Sequence, residues 1–230
     1  MDFFKARVDV EKVGTREVVP LWEYDIDAEN AQSQLVSSHL PVKAPLFSKL
    51  LITGPLTDVL EDGNAIGGAG FIVSNTLRDI FSAFNIGKHA FYPLQSFDYT
   101  SKNRIQNQYF WLQIIDFNFY PLIDYSQSKF VLYDDFEEKN ISELNIVSPG
   151  GLMAAVESTN EEDNRILYTK LVFNNTFHSN ALDLFYMNGI SDNIFSYPIF
   201  SERLKNELSK KGIVGFDFKK TPLQWLAILR

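Results

Sequence analysis

Two segments of the chain share one pattern of capping, apolar and turn positions, and this repeat constrains the fold more than any other feature. Residues 71–91 read FIVSNTLRDIFSAFNIGKHAF, and residues 198–218 read PIFSERLKNELSKKGIVGFDF. In each segment a serine that can cap a helix precedes an amphipathic stretch, a residue that tolerates left-handed backbone, and a strand-like run. The pattern predicts two short helices, over about 74–84 and 201–211, each followed by a strand.

The aligned positions of the two segments assign specific roles to four residues. Ser74 and Ser201 are the predicted N-caps, and Asn85 and Gly212 are the predicted left-handed residues just beyond each helix. A capped helix followed by a strand is a common local solution, so the sequence leaves two interpretations open. The resemblance is either a coincidence of composition or a genuine strand–helix–strand duplication.

Most of the chain between the two segments has the character of β-strands. QYFWLQIIDF (residues 108–117) is apolar on both faces, as in a central, covered strand, while SKFVLYD, ILYTKLVFN and ALDLFYM alternate with polar breakers such as SPGG. Earlier in the chain, residues 27–40 can form a short helix. We therefore expect one α+β domain over residues 1–230, with a mixed or largely antiparallel sheet and a few short helices, in which residues 1–70 are an accessory part.

The sequence contains no motif for metal, cofactor or catalytic chemistry that stands above background. There is no cysteine, and the three histidines lie far apart in the chain. The glycine-rich stretch GNAIGGAG (residues 63–70) lacks the Lys-Ser/Thr pair of a phosphate-binding loop and is interpreted as a flexible connector. We expect no catalytic residue, no metal site and no cofactor.

The charge balance bears on possible partners. The chain carries 21 basic and 29 acidic side chains, a formal net charge of −8, which disfavours nucleic-acid binding and favours a basic protein partner. The N-terminal residues do not resemble a secretory signal, and no apolar run is long enough to span a bilayer. We expect a cytoplasmic protein without membrane contact.

Two acidic clusters interrupt the predicted strands. The first comprises Asp134, Asp135, Glu137 and Glu138 around Phe136, and the second comprises Glu157, Glu161, Glu162 and Asp163. Both can be solvated loops that keep the protein soluble. The alternative is a face that binds a cationic partner, with Phe136 as its apolar anchor.

The order of these motifs resembles a family of immunity proteins from bacterial polymorphic-toxin systems, first described as a domain of unknown function. FIVSNTLRDIFSAFNIGKHAFYPL resembles its strand–helix–strand segment, Asp124 and Ser128 occupy its I-D-x-x-x-S positions, and IFSERLKNEL to GIVGFDF resembles its closing helix and strand. DLFYM stands in place of an L-F-R strand, with Tyr186 where the family has arginine. The resemblance covers residues 70–220.

The resemblance implies that the protein binds and neutralises a cognate toxin by occlusion, without catalysis. Asp124 and Ser128 also have a simpler interpretation, because these residue types fix turns by bonding local backbone. Two other functions stay open from the residues alone. One is a hydrolase-like enzyme whose site is assembled only by the fold, and the other is an adaptor protein without a toxin partner.

Overall fold

The computed structural model describes residues 2–9, 13, 18–21, 25–61, 66–106, 108–159, 164–179, 181–187, 190 and 197–225. The strands are β1 (Phe3–Val8), β2 (Val18–Leu21), β3 (Lys49–Ile52), β4 (Val59–Leu60), β5 (Ala69–Ser74), β6 (His89–Leu94), β7 (Ser96–Asp98), β8 (Tyr109–Ile114), β9 (Lys129–Asp134), β10 (Lys139–Leu144), β11 (Asn164–Phe173), β12 (Leu184–Phe185), β13 (Ile199–Ser201), β14 (Phe216–Lys220) and β15 (Leu223–Trp225). The helices are α1 (Asn75–Ser82), α2 (Pro149–Thr159), α3 (Asn175–Ser179) and α4 (Glu202–Lys210), with 3-10 turns at Gln32–Gln34 and Tyr120–Leu122.

These elements form an α+β fold, as predicted. The strands are arranged in four sheets with the orders β12-β13-β1-β14, β10-β9-β11-β15, β2-β3-β7 and β4-β5-β8-β6. Most neighbouring strands are antiparallel; the pairs β11–β15 and β3–β7 are parallel. None of the helices in the described part of the chain combines the length and apolar character needed to cross a membrane.

Two of the sheets, β4-β5-β8-β6 and β12-β13-β1-β14, have the same topology and the same register. In each sheet, one strand ends in the serine that caps the following helix, and another strand follows that helix. Both of these strands pair antiparallel with the same central strand. Ser74 lies opposite Tyr109 in one sheet, and Ser201 lies opposite Phe3 in the other. In the same way, Phe91 lies opposite Leu112 in the first sheet and Phe218 lies opposite Ala6 in the second. These two pairs are separated from the serine pairs by the same number of residues in both sheets. The sequence repeat is therefore a repeat of tertiary structure.

The central strands of the two repeats come from different parts of the chain. Strand β8 follows the first repeat closely, whereas β1 is the first strand of the protein and pairs with β13 and β14 from its far end. Residues 1–70, expected to be an accessory part, thus supply the middle strand of one sheet and, through β4, the edge of the other.

Both predicted helix starts are confirmed. The Oγ of Ser74 accepts a hydrogen bond from the backbone N–H of Leu77, and the Oγ of Ser201 accepts one from Leu204, each at 3.1 Å. The observed helices, Asn75–Ser82 and Glu202–Lys210, lie within the predicted ranges.

The two helices end differently. Gly212 has a φ of +69°. The predicted left-handed residue is confirmed, and the N–H groups of Gly212 and Ile213 donate to the carbonyls of Ser209 and Leu208, at 3.1 and 3.0 Å, as in a Schellman motif. The prediction for Asn85 is wrong, because it is not among the positive-φ residues. Its N–H donates to the carboxylate of Asp183 at 3.0 Å, so a tertiary acceptor replaces the left-handed turn.

One hydrophobic core joins the two repeats. The buried stripes Leu77–Phe81 of α1 and Leu204–Leu208 of α4 belong to the same cluster. Aromatic rings cross between the sheets, with the centroids of Phe71 and Phe200 6.2 Å apart. Each helix therefore buries its apolar stripe against a core to which both repeats contribute.

Strand β8 is buried on both faces, as its sequence predicted. Phe110, Leu112 and Ile114 pack into the core shared by the repeats. Tyr109 and Trp111 face a second cluster that includes residues of β3 and β4. The third core is formed by the β10-β9-β11-β15 sheet and by α2, which buries Leu152. It also includes Phe3, Phe185 and Ile199 of the β12-β13-β1-β14 sheet.

Two further local predictions are corrected by the structure. Residues 27–40 form turns with only a 3-10 turn at Gln32–Gln34, not an α-helix. SPGG separates two strands, as predicted, and it does so by beginning α2, because the Oγ of Ser148 accepts from the N–H of Gly151 at 3.2 Å and proline is tolerated in the first helical turn.

The second correction concerns the glycine-rich stretch 63–70, interpreted as a flexible connector. Ala69 and Gly70 belong to β5, and the N–H of Gly67 donates to the carbonyl of Gln32 at 3.0 Å. A Cβ placed on Gly70 would lie 1.9 Å from the carbonyl oxygen of Leu112. Glycine is needed at position 70 because the backbones of β5 and β8 approach closely there. The glycine at this position therefore reflects strand packing and not a flexible connector. Residues 62–65 lie outside the described part.

Candidate partner-binding site

The first acidic cluster forms the turn of the β9–β10 hairpin. The Oδ1 of Asp134 accepts hydrogen bonds from the backbone N–H groups of Phe136 and Glu137, at 3.0 and 2.9 Å. Glu138 closes the turn in the left-handed region, with a φ of 51°. The carboxylate of Asp134 is thus engaged in building the turn, as Asp residues often are at this position.

Asp135 ties the turn to the neighbouring strand. Its Oδ2 accepts a hydrogen bond from the Nε of Arg165 on β11 at 2.6 Å, and both side chains are only partly exposed. The other carboxylate oxygen of Asp135 is buried and has no partner among the described atoms. The sequence analysis did not identify Arg165 as the partner of Asp135. The only sequence feature that could have indicated this role is that Arg165 is a single basic residue just after an acidic run. Asp134 and Asp135 therefore hold the hairpin in shape.

Phe136, Glu137 and Glu138 form the outward part of the turn, and we call these three residues the hairpin tip. The Phe136 side chain is 82% exposed, which is unusual for a ring of this size. Glu137 lies 3.6 Å from the Nζ of Lys139, an exposed ion pair that contributes little to stability. The tip presents one aromatic ring beside two exposed carboxylates.

The second acidic cluster is described only in part. Glu157 is exposed on α2 and lies near Tyr120, whose pKa is raised by burial first and by the charge of Glu157 second. Glu161, Glu162 and Asp163 lie outside the described residues. Asn164, the next described residue, pairs with Asp134 at the start of the hairpin turn. Among the described residues, no hydrogen bond or ion pair joins Glu157 to the hairpin tip.

Asp124 and Ser128 form a turn that anchors the start of β9 to β11. The Oδ1 of Asp124 accepts from the hydroxyl and the N–H of Ser126, at 2.6 and 3.1 Å, and the hydroxyl bond is the main cause of its lowered pKa. The Oγ of Ser128 donates to the carbonyl of Asp124 at 2.8 Å and accepts from the N–H of Val172 at 3.0 Å. These contacts match the simpler interpretation of the two residues, a turn fixed by local backbone bonds.

The capping serines share a feature that the sequence did not reveal. The Oγ of Ser74 donates to Asp58 at 2.7 Å, and the Oγ of Ser201 donates to Asp183 at 2.6 Å. In both cases the serine N–H also donates to the carbonyl of the same aspartate. Each aspartate directly precedes a two-residue strand, β4 or β12. The aspartate–serine hydrogen bond is therefore a shared feature of the two repeats.

His39 and His89 each contact groups of their own segment. The Nδ1 of His89 lies 2.8 Å from the carbonyl oxygen of Gly87, and its ring packs edge-on against Phe91. His39 lies beside Ser38 in another loop. Across the described ranges, no three His, Cys, Asp or Glu side chains are arranged to hold a metal ion.

The sequence matches no protein-family model and no curated protein.

Proposed function

We propose that the protein binds a cognate bacterial toxin in the cytoplasm and neutralises it by covering the surface that the toxin uses. The hairpin tip, Phe136 with Glu137 and Glu138, is the proposed contact. The proposal rests on the resemblance of residues 70–220 to immunity proteins and on the chemistry of this turn.

The observation that carries the proposal is the exposure of Phe136. A phenylalanine that is 82% exposed loses the hydrophobic contribution it could make in a core. In a complex the same ring would be removed from water, and aromatic residues that fill a pocket on the partner are typical binding hot spots. The exposed ring is therefore better explained by binding than by folding.

The construction of the hairpin supports the same role. Asp134 bonds to two backbone N–H groups in the turn, and Asp135 is paired with Arg165 on β11. A turn that is held in shape before binding loses less conformational entropy when a partner binds. Two of the predicted contact residues, Asp134 and Asp135, thus contribute by positioning the tip.

The charge of the tip favours a basic partner. Glu137 and Glu138 are exposed, and the whole chain carries a net charge of −8. Exposed carboxylates accelerate association with a cationic surface, and this effect weakens as salt screens the charges. A toxin that binds phosphate-rich substrates would present such a surface.

The experiment is co-expression with the product of the adjacent open reading frame. We expect that product alone to arrest growth, and we expect this protein to restore growth and to co-purify with the product. Growth arrest that this protein does not relieve, without co-purification, would contradict the proposal. A rescue that needs no complex would point instead to an enzyme that repairs the damage.

A further inference from the structure

Strand β6 is a long, uncharged strand at the edge of its sheet. In the order β4-β5-β8-β6 it pairs with β8 on one side, and no described strand pairs with its other side. Its sequence, HAFYPL, includes no Asp, Glu, Lys or Arg, and its register with β8 is continuous from His89 to Leu94. An edge strand of this kind is a template for pairing with another strand.

The other sheet edges in the described part of the chain are each protected against such pairing. The edge strands β2, β4, β7, β12 and β15 have four residues or fewer. Strand β10 is longer, but it carries Lys139 and Glu143 and its register with β9 shifts within the strand. Strand β14 carries Asp217, Lys219 and Lys220. Short strands, charged side chains and irregular register all discourage pairing at an edge, and among the described edges only β6 has none of these features.

The direction of the backbone groups of β6 follows from its pairing with β8. Ile115 donates its N–H to the carbonyl of Lys88 at 2.8 Å, so Lys88 and every second residue after it bond to β8. His89, Phe91 and Pro93 therefore direct their backbone groups away from β8, and a proline is tolerated at such a position because no N–H is needed there. Among the described residues, no hydrogen bond involves the backbone N–H or C=O groups of His89 and Phe91.

These free backbone groups are complementary to those of a second copy. When two β6 strands lie antiparallel with His89 of each copy opposite Phe91 of the other, every outward N–H faces a carbonyl of the other strand. Lys88 of each copy then lies opposite Tyr92 of the other, a pair that can form a cation–π contact. No like charges face each other across this pairing, although each chain carries a net charge of −8.

The side chains along the edge supply apolar surface on both faces of the strand. The rings of His89 and Phe91 meet edge-on, with centroids 5.3 Å apart. On the other face, the ring of Tyr92 lies 5.9 Å from that of Phe47. All four rings are only partly buried, so a second strand along this edge would remove further apolar area from water.

We propose that two copies of this chain form a dimer through antiparallel pairing of their β6 edges, around a two-fold axis that passes between the two Ala90 residues. The interface is isologous, since the same edge of each copy contacts its equivalent. It joins the two β4-β5-β8-β6 sheets into one continuous sheet. The interface shares no residue with the hairpin tip, so it is independent of the proposed toxin contact.

Sedimentation velocity of the full chain at a series of concentrations tests the proposal, and we expect a reversible dimer. His89→Pro should weaken the dimer by roughly tenfold or more, because it removes one outward N–H from each copy and leaves the bonds to β8 in place. His89→Ala is the matched control. It removes the same side chain but keeps the N–H, so it should dimerise nearly as well as the wild type. A wild type that stays monomeric at every concentration, or equal weakening in the two variants, would overturn the proposal.

Disulfide cross-linking tests the register without relying on a proline variant. The chain contains no cysteine, so a single introduced thiol can form a disulfide only between copies. Ala90→Cys places two thiols across the axis at a non-hydrogen-bonded pair, where Cα atoms are about 4.5 Å apart, within the range that disulfides need. Val42→Cys, at a fully exposed position, is the control. The Ala90 variant should form covalent dimers faster than the Val42 variant under mild oxidation, and an equal or slower rate would contradict the proposed pairing.

Discussion

The buried carboxylate of Asp183 accepts the backbone N–H of Asn85, and this bond joins the chain after α1 to the residue before β12. Oδ1 of the same carboxylate receives the Ser201 hydroxyl, and Arg203 binds its edge with two nitrogens. The Asp183 side chain is almost wholly buried while that of Arg203 is mostly exposed. The hydrogen bond to this carboxylate raises the pKa of the Arg203 guanidinium. The Asp183 carboxylate thus accepts hydrogen bonds from donors in both repeats.

Asp183→Ala should lower the free energy of unfolding by about 2–4 kcal/mol, because it leaves the buried hydroxyl of Ser201 and the partly buried N–H of Asn85 without an acceptor. Urea denaturation measures the change. Asp58→Ala is the matched control from the other repeat. Asp58 also accepts a serine hydroxyl, but it is less buried, so we expect a loss of only about 1 kcal/mol. Equal losses in the two variants would show that Asp183 has no special role.

Gly70→Ala should destabilise the protein by about 2 kcal/mol or more, because the new Cβ would lie 1.9 Å from a backbone oxygen of the adjacent strand. Gly150→Ala is the opposite case. It lies in the first turn of α2 with nothing within 4 Å of its Cβ position, so alanine should stabilise by about 0.5–1 kcal/mol. Thermal melts of the two variants should shift in opposite directions, and a shared direction would contradict the close approach of β5 and β8 at Gly70.

Tyr109→Phe should reduce the loss of stability at alkaline pH. Burial first, and then the charge of Asp58, raise the pKa of Tyr109 to about 12, above the value of about 10 for an exposed tyrosine. The folded state therefore holds the phenol proton more tightly than the unfolded chain does. This contribution is present below pH about 10 and is lost as the pH rises from about 10 to about 12.

The variant also loses the 2.9 Å hydrogen bond from the Tyr109 hydroxyl to the carbonyl of Thr57, so it should be less stable at neutral pH. Denaturation at a series of alkaline pH values measures both effects. If the variant and the wild type lost stability equally between pH about 10 and about 12, Tyr109 would not be the titrating group.

Phe136→Ala should leave the free energy of unfolding unchanged but weaken binding of the proposed toxin partner by roughly 30-fold, the effect of a hot spot of about 2 kcal/mol. Val42→Ala is the control, because Val42 is fully exposed in another segment. Calorimetry with the purified partner measures the affinity of the two variants, and urea denaturation measures their free energy of unfolding. Equal affinity of the Phe136 variant and the wild type would exclude the hairpin tip as the contact.

Reversal of both tip charges, Glu137→Lys with Glu138→Lys, should slow association and flatten its dependence on salt. The double variant Asp27→Lys with Glu29→Lys makes the same change in net charge elsewhere on the surface, where Glu29 forms an exposed pair with Lys43. Stopped-flow association rates at several salt concentrations compare the two. If both variants behaved alike, only the overall charge would matter.

The sequence by itself determined the features that depend on neighbouring residues. The serine caps, the Schellman end at Gly212 and the extent of both helices followed from atoms within a few positions of one another, so a linear pattern carries them. The doubly covered strand β8 was also predictable, because its apolar residues occupy both faces.

The tertiary structure decided everything that depends on distant partners. Asn85 needs no left-handed turn, because its acceptor Asp183 lies 98 residues away in the chain. Asp135 serves the hairpin through Arg165, 30 residues away, while Phe136 beside it stays exposed, and the sequence could not separate these two roles. Pairing partners at such separations are chosen by the packing of the whole core, and local patterns hold no record of that choice.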